Sequence, residues 1–363
     1  EAVGAERRAL GINVRLGELE EVEREESRDL GIRVFVGQRQ ATVSGSDISP
    51  EARAKLVERA VAMARLAPED PYGGLAPKNR LAQGPFADLD LYDPTEPSPE
   101  ALEEIARVAE DAARAMPRIT NSEGGSASNS STHWRLVTSD GFSGVYRASG
   151  FSVGASVVAG DGEAMESGYD GRSSRHRADL PDAHAIGQEA GRRAAARLGA
   201  RKIDSTTAAV IFENRSAMSL ISPLIGAIAG PSIARGTSFL KDKLHQQIFA
   251  KGVNITDNPH KIRGLGSSPF DDEGVANRAW SLIEDGVLTT WIMNASSAKQ
   301  LGLETTGHAS RGLAGAPGVS TTNLTLEAGT RTQAELMADA GQGLLITSMF
   351  GPSLNGNTGD WSV

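Results

Sequence analysis

The sequence predicts an α+β fold, with an N-terminal layered region of sheet and helix followed by a β-rich C-terminal domain. Three observations carry this. Segments that alternate apolar and polar residues come first, helical stripes fall between later strands, and the regular strand–helix alternation of a parallel sheet is missing. The 363 residues correspond to about two domains, and 39% hydrophobic with 23% charged residues is ordinary globular usage.

The elements follow in order. Residues 11–16 and 30–37 alternate with period two and read as half-buried strands; the charged stretch 18–28 between them reads as a solvated strand or a turn, and 40–44 as a further strand. A helix starts at Ser49 as cap with Pro50 in its first turn, and Leu56, Val57, Ala60, Val61 and Ala64 form its apolar face. A second helix starts the same way at Ser98-Pro99, with Leu102, Ile105, Ala109 and Ala112 as its stripe. Residues 121–131 are small and polar and, read alone, form a flexible loop. Strands at 134–138 and 150–159 precede a third helix over 183–198, and a strand at 209–212 opens a new unit. Residues 216–249 read as mostly helical, and 252–363 as strands and turns with one short helix at 332–340. The resulting domains are an N-terminal α/β region, 1–67; a linker or long loop, 68–97, rich in Pro, Gly and Asp; a central α+β region, 98–200; and the C-terminal β-rich domain, 201–363.

Composition excludes several functions. There is no cysteine, so no disulfide framework, no thiolate nucleophile and no metal site built on sulfur. With 37 basic and 46 acidic residues the net charge is −9, which opposes nucleic-acid binding outside a local patch such as Arg172, Arg175 and Arg177. No apolar run reaches the roughly 20 residues of a spanning helix. The first residue is Glu1 and the last block reads like the middle of a segment, so the C-terminal domain is expected to be truncated at its end.

Motifs for chemistry are sparse. No phosphate-binding Gly-Lys-Ser/Thr and no Gly-x-Ser-x-Gly elbow occur; Gly141-Phe142-Ser143-Gly144 is one residue short and falls at a strand turn. Arg263-Gly264-Leu265-Gly266 opens like a dinucleotide loop, but Pro269 stands at the third glycine, so it reads as a turn. The histidines His133, His176, His184, His245, His260 and His308 never show the i, i+4 spacing of a helical zinc pair. His245 reads as a partly exposed helical residue, and Asp271-Asp272-Glu273-Gly274 as a solvated turn rather than a cation loop.

Several blocks, in order and spread over nearly the whole chain, are similar to the TldD/PmbA family, the so-called modulators of DNA gyrase. They are Ser122-Glu123-Gly124-Gly125-Ser126-Ala127-Ser128, Ser139-Asp140-Gly141-Phe142-Ser143-Gly144, Ala234-Arg235-Gly236-Thr237-Ser238-Phe239-Leu240, Pro269-Phe270-Asp271-Asp272-Glu273-Gly274, Leu282-Ile283-Glu284-Asp285-Gly286-Val287-Leu288, Thr322-Asn323-Leu324 and Thr358-Gly359-Asp360. The TldD branch resembles a zinc metalloprotease, with a His-Glu-x-x-x-His helix before its Arg-Gly-Thr-Ser block. The histidines hold zinc and the glutamate is the base for metal-bound water. Counted back from Arg235, that motif falls at 221–226, where this chain has Ile221, Ser222, Pro223, Leu224, Ile225 and Gly226. The chain therefore looks like the PmbA, or TldE, branch.

That resemblance implies a non-catalytic subunit of a heterodimeric, cytoplasmic zinc metalloprotease that cleaves unfolded or extended peptides. Family roles include maturation of a peptide microcin precursor and degradation of an antitoxin. No catalytic residue, metal ligand or cofactor is expected in this chain; zinc is expected in a TldD-like partner. The chain alone is expected to be inactive and to form a homodimer. Arg235, Thr237 and Ser238 become candidates for a surface facing substrate or partner, because they follow the segment aligned with the catalytic helix. The small residues of 226–230 pack the core or line a cavity shared with the partner. The competing functions are a peptide- or antitoxin-binding regulator without proteolysis, and a stand-alone enzyme built from Asp, Glu and His.

Overall fold

The computed structural model describes residues 1–363, the side chain of Glu163 excepted. The first two strands, β1 (Ala2–Arg15) and β2 (Glu18–Val36), form a hairpin closed by Leu16 and Gly17 at φ 53° and 84°. Two successive positive φ values give a turn whose twist matches that of the strands. The turn is held from below: the Glu110 carboxylate, fully buried, accepts the Leu16 and Gly17 N–H groups at 2.7 and 2.9 Å. The charged stretch 18–28 is thus a solvated strand.

β3 (Arg39–Gly45) follows, then α1 (Pro50–Leu66) and α2 (Pro99–Arg114). Both helices start as the sequence predicts, with the Ser49 and Ser98 hydroxyls accepting the N–H groups of Ala52 and Ala101. Next come β4 (Ile119–Val137), β5 (Ser143–Ala159), β6 (Glu166–Ser174) and α3 (Ala183–Arg197). The six strands make one antiparallel sheet in the order β3-β2-β1-β4-β5-β6, so segments from 1–67 and from 98–200 share a single sheet. Ala109 and Ala113 of α2 and Ile186, Ala190 and Ala194 of α3 bury the alternate residues Val153, Ala155, Val157 and Ala159 of β5.

One expectation is corrected here. Residues 121–131 are not a flexible loop but the middle of β4, hydrogen-bonded to β1 on one side and β5 on the other. Their small side chains are a packing requirement. A Cβ on Gly125 would sit 2.1 Å from the Ala106 carbonyl oxygen of α2, and one on Gly187 of α3 2.0 Å from that of Ala109. Only glycine lets these backbones approach so closely.

The C-terminal part builds its own core from Ile221, Leu224, Ile228, Ile255, Leu282, Ile283, Leu288, Trp291 and Ile292. Its main sheet has four short strands in the order Val287–Leu288, Trp280–Glu284, Ile255–Asp257, Leu324–Leu326, and Ala209–Phe212 pairs in parallel with Gly343–Ile346. The mostly helical reading of 216–249 is half right. Helices α4 (Asn214–Ala227) and α5 (Gly230–Ala234) are present, but 235–249 runs through turns whose N–H groups bond to Gly286 and Leu288 instead of to a helix. His245 therefore lies in a turn, at φ 60°. A helix over Ala295–Leu301, absent from the sequence reading, is capped by Asn294 and ended by Gly302 at φ 68°. The two halves meet through Phe86, Phe142, Tyr146 and Phe270, whose rings pack around Phe270 at 5.0–5.7 Å between centroids.

Candidate functional site

Where one face of the large sheet meets the C-terminal part, a cleft of about 320 Å³ opens. Strand register sets its sheet-side wall. Ala5 pairs with Trp134 and Trp134 with Tyr146; one step along, Arg7 pairs with Thr132 and Thr132 with Ala148. Directly paired residues point to the same face, so Arg7, Thr132, Trp134 and Tyr146 converge although they come from three strands. The opposite wall is the acidic turn at 271–272 with His308 and Arg311.

The acidic turn is not solvated, contrary to the sequence expectation: Asp271 and Glu273 are 4% and 2% exposed. The carboxylates replace water as acceptors for backbone groups. Asp271 takes the N–H groups of Glu273, Val275 and Ala309 at 2.9, 2.8 and 3.1 Å; Asp272 takes that of Arg311 at 2.9 Å; Glu273 takes that of Ala295 at 2.7 Å. Two further loops, at 295 and at 309–311, are thereby tied to the turn. Burial, and then the charge of Glu273, lift the Asp271 carboxyl well above the usual range. Burial lifts Glu273 as well and pushes Asp272 up to about 6. The Tyr146 phenol is raised by burial and by the Asp272 charge, and burial brings Arg311 down to about 10.

His308 lies between the Thr306 hydroxyl, 2.9 Å from Nδ1, and the Asp257 carboxylate, 3.3 Å from Nε2. The order hydroxyl–imidazole–carboxylate resembles a nucleophile triad, but its role here is structural. All three residues are 5% exposed or less, and the Thr306 hydroxyl accepts the Met293 N–H at 2.7 Å.

The surface candidates Arg235, Thr237 and Ser238 and the positions aligned with the zinc motif lie elsewhere, around α4 and α5, and none lines the cleft; Arg175, Asp271, Asp272 and His308, which the sequence reading gave no site role, do line it. Ile221 is a core residue. Ser222 is exposed and its hydroxyl donates to the Met218 carbonyl at 2.9 Å. Gly226 is exposed, and a Cβ there would meet nothing, whereas one on Gly230 would lie 2.6 Å from the Ser297 hydroxyl. So Gly230, not Gly226, is the close-approach position. Arg235 and Thr237 are exposed. Ser238 is a correction: it is 3% exposed, its hydroxyl donating to Ala227 O at 2.6 Å and accepting the Leu240 N–H at 3.0 Å. It is an internal tie, not a surface residue. Ile, Ser and Gly at 221, 222 and 226 supply neither imidazole nor carboxylate, so this donor set does not fit zinc. Among the described residues no group of three His, Cys, Asp or Glu is placed to hold a metal ion.

The sequence reading missed Arg7, Trp134 and Tyr146 as a group. The available signal was their position on the same alternate face of three strands, but the register that aligns them was not in any one segment.

Comparison with known proteins gives consistent matches. Models of the PmbA/TldA metallopeptidase domain 1, central domain and C-terminal domain match residues 1–64, 92–198 and 205–363. Metalloprotease PmbA of Escherichia coli O157:H7 is 36% identical over 354 residues, 97% of this chain and 76% of that protein. The PmbA homologue of Haemophilus influenzae is 36% identical over 359 residues, again 97% and 76%. The crystal structure of a candidate modulator of DNA gyrase from Bacteroides thetaiotaomicron superposes with a TM-score of 0.90 at 26% identity, covering 99% of this chain and 80% of that one. TldE from Thermococcus kodakarensis shares the fold, with a TM-score of 0.83 at 20% identity over 99% of this chain and 81% of that one.

Proposed function

Because the chain belongs to the PmbA/TldD metallopeptidase family, we propose that it is the non-catalytic subunit of a heterodimeric zinc metalloprotease that cleaves unfolded or extended peptides in the cytoplasm. The observation that carries this reading is the segment 221–226. It lies shortly before Arg235-Gly236-Thr237-Ser238, where the family's catalytic branch has its zinc helix, and it offers Ile221, Ser222 and Gly226. An aliphatic side chain and a glycine have no lone pair for a metal, and a serine hydroxyl does not act as a carboxylate base near neutral pH. Zinc and the base belong to a TldD-like partner in this reading. The names of the relatives, metalloprotease PmbA, support proteolysis as the activity of the assembly. Arg235 and Thr237, exposed just past α5, supply the partner-facing surface.

The test is peptide cleavage and bound zinc, measured for this chain alone, for its TldD-like relative alone, and for the mixture. Zinc-free, inert protein that restores cleavage when mixed is the expected result. Stoichiometric metal and cleavage by this chain alone would overturn the reading. Tight peptide binding with no cleavage in any mixture would replace it with a regulator that acts without proteolysis.

A further inference from the structure

The junction cleft contains hydrogen-bond donors that nothing in the chain satisfies. Trp134 is 6% exposed, lines the cleft, and its Nε1–H has no partner. Arg311 is 9% exposed; its Nε donates to Gly312 O at 3.2 Å and its Nη1 is paired with Glu1, but its Nη2 has no partner. A buried N–H without an acceptor is rare in folded proteins, because the water it gave up is not replaced. Two such residues in the wall of one cavity call for an acceptor that enters it.

The charge around the cleft indicates which acceptor. Arg7 stands exposed at the mouth. Arg175 donates only to carbonyls, those of Ser149, Gly264 and Leu265, so its charge is not cancelled by a carboxylate. Arg311 is paired with Glu1, so Arg7 and Arg175 are the cations left over; facing them are Asp271, which burial and the Glu273 charge push toward the neutral form, and Asp272, which is pushed up to about 6 and is still ionised near neutral pH. Two cations without a carboxylate partner thus face one ionised carboxylate, and the balance left in the cleft favours an anion.

The sheet indicates what the anion is attached to. Beyond Arg7 and Thr132 the same face continues as the paired residues Ala9, Ser130 and Gly150, then Gly11, Ser128 and Ser152, then Asn13, Ser126 and Gly154. Within these three strands no side chain is larger than asparagine; Glu25, Glu23 and Glu21 of β2, paired with Ala9, Gly11 and Asn13, flank the strip on one side, and it ends in a second hollow of about 640 Å³ between Ser126, Gly154 and Tyr169. From Arg7 to Asn13 is six residues of β1, about 20 Å at the rise of a strand. That is the length of about six extended residues.

We propose that the junction cleft holds the C-terminal carboxylate of an extended peptide, with the Trp134 Nε1–H and the Arg7 guanidinium as donors and the Gly/Ser strip as the bed for the preceding residues. Recognition of a carboxylate is independent of the protease-subunit reading; its assignment to a peptide end rests on it.

The experiment is calorimetric titration of the whole chain with a hexapeptide of alternating alanine and serine, as free acid and as C-terminal amide. The free acid is expected to bind, and amidation to weaken binding at least tenfold. Arg7→Gln, at an exposed position, is expected to weaken the free acid about tenfold and leave the amide unchanged. Trp134→Phe removes the N–H and keeps a ring; its folding is checked by circular dichroism before titration. Equal binding of acid and amide, or no heat at millimolar peptide, overturns the proposal. Cleavage by the mixture with the TldD-like relative is measured in parallel. Cleavage without carboxylate-dependent binding sinks the cleft and keeps the subunit reading; carboxylate-dependent binding without cleavage does the reverse.

Discussion

Replacing Ser238 by alanine tests the correction that places this residue inside the protein. The hydroxyl is buried and makes two hydrogen bonds, to Ala227 O at 2.6 Å and from the Leu240 N–H at 3.0 Å. Ala227 is the last residue of α4, where the helix itself leaves carbonyls without partners. Each such bond is worth about 0.5–1.5 kcal/mol net, and each buried group left unpaired adds a desolvation penalty of about 1–3 kcal/mol. Partial relaxation, with water reaching one of the two groups, brings the expected loss to about 2–4 kcal/mol. Thr237→Ala is the control. Thr237 is exposed, and its hydroxyl donates to Ser232 O at 3.3 Å, so its removal should cost less than about 0.5 kcal/mol. Urea unfolding followed by circular dichroism compares the two, and partner-dependent cleavage is measured on the same samples. A Ser238→Ala protein as stable as the parent, with cleavage lost, would refute the reasoning and return Ser238 to the surface.

Three further outcomes follow from the same geometry. Gly125→Ala forces a Cβ to within 2.1 Å of Ala106 O, so α2 must move off the sheet; a loss of about 3 kcal/mol is expected in urea unfolding, against about 0.5 kcal/mol or less for Gly4→Ala, where a Cβ meets nothing. Asp272, pushed up to about 6 from an unfolded value near 3.9, keeps its proton in the folded state while the unfolded chain loses it. Its contribution is therefore complete below pH ~4 and is lost as pH rises to ~6, a drop of about 3 kcal/mol. Asp272→Asn, whose amide oxygen still accepts the Arg311 N–H, should abolish that slope and be the more stable protein at pH 8 in unfolding curves taken from pH 4 to 8. Finally, Arg235→Ala should leave the melting temperature unchanged and reduce partner-dependent cleavage about tenfold; unchanged cleavage removes Arg235 from the partner surface.

Where a feature depends on neighbours in the chain, the amino-acid order was enough. The Ser49-Pro50 and Ser98-Pro99 starts work because a cap side chain reaches an N–H three residues on, and the period-two alternation of β1 marks a face whatever lies across it. The family blocks and the absence of metal ligands at 221–226 are likewise properties of the string. Tertiary structure decided the rest. Residues 121–131 have loop composition; they form a strand because β1 and β5 complete their hydrogen bonds and α2 leaves no room for larger side chains. Asp271 and Glu273, charged residues in what reads as a turn, are internal because loops from 295 and 309 bring backbone N–H groups that replace water. Trp134, Tyr146 and Arg7 share a cleft only through strand register, and register is fixed by pairing between segments more than 100 residues apart in the case of β1 and β4. Local chemistry set the elements of this protein; which side chains meet was set by contacts that no segment contains by itself.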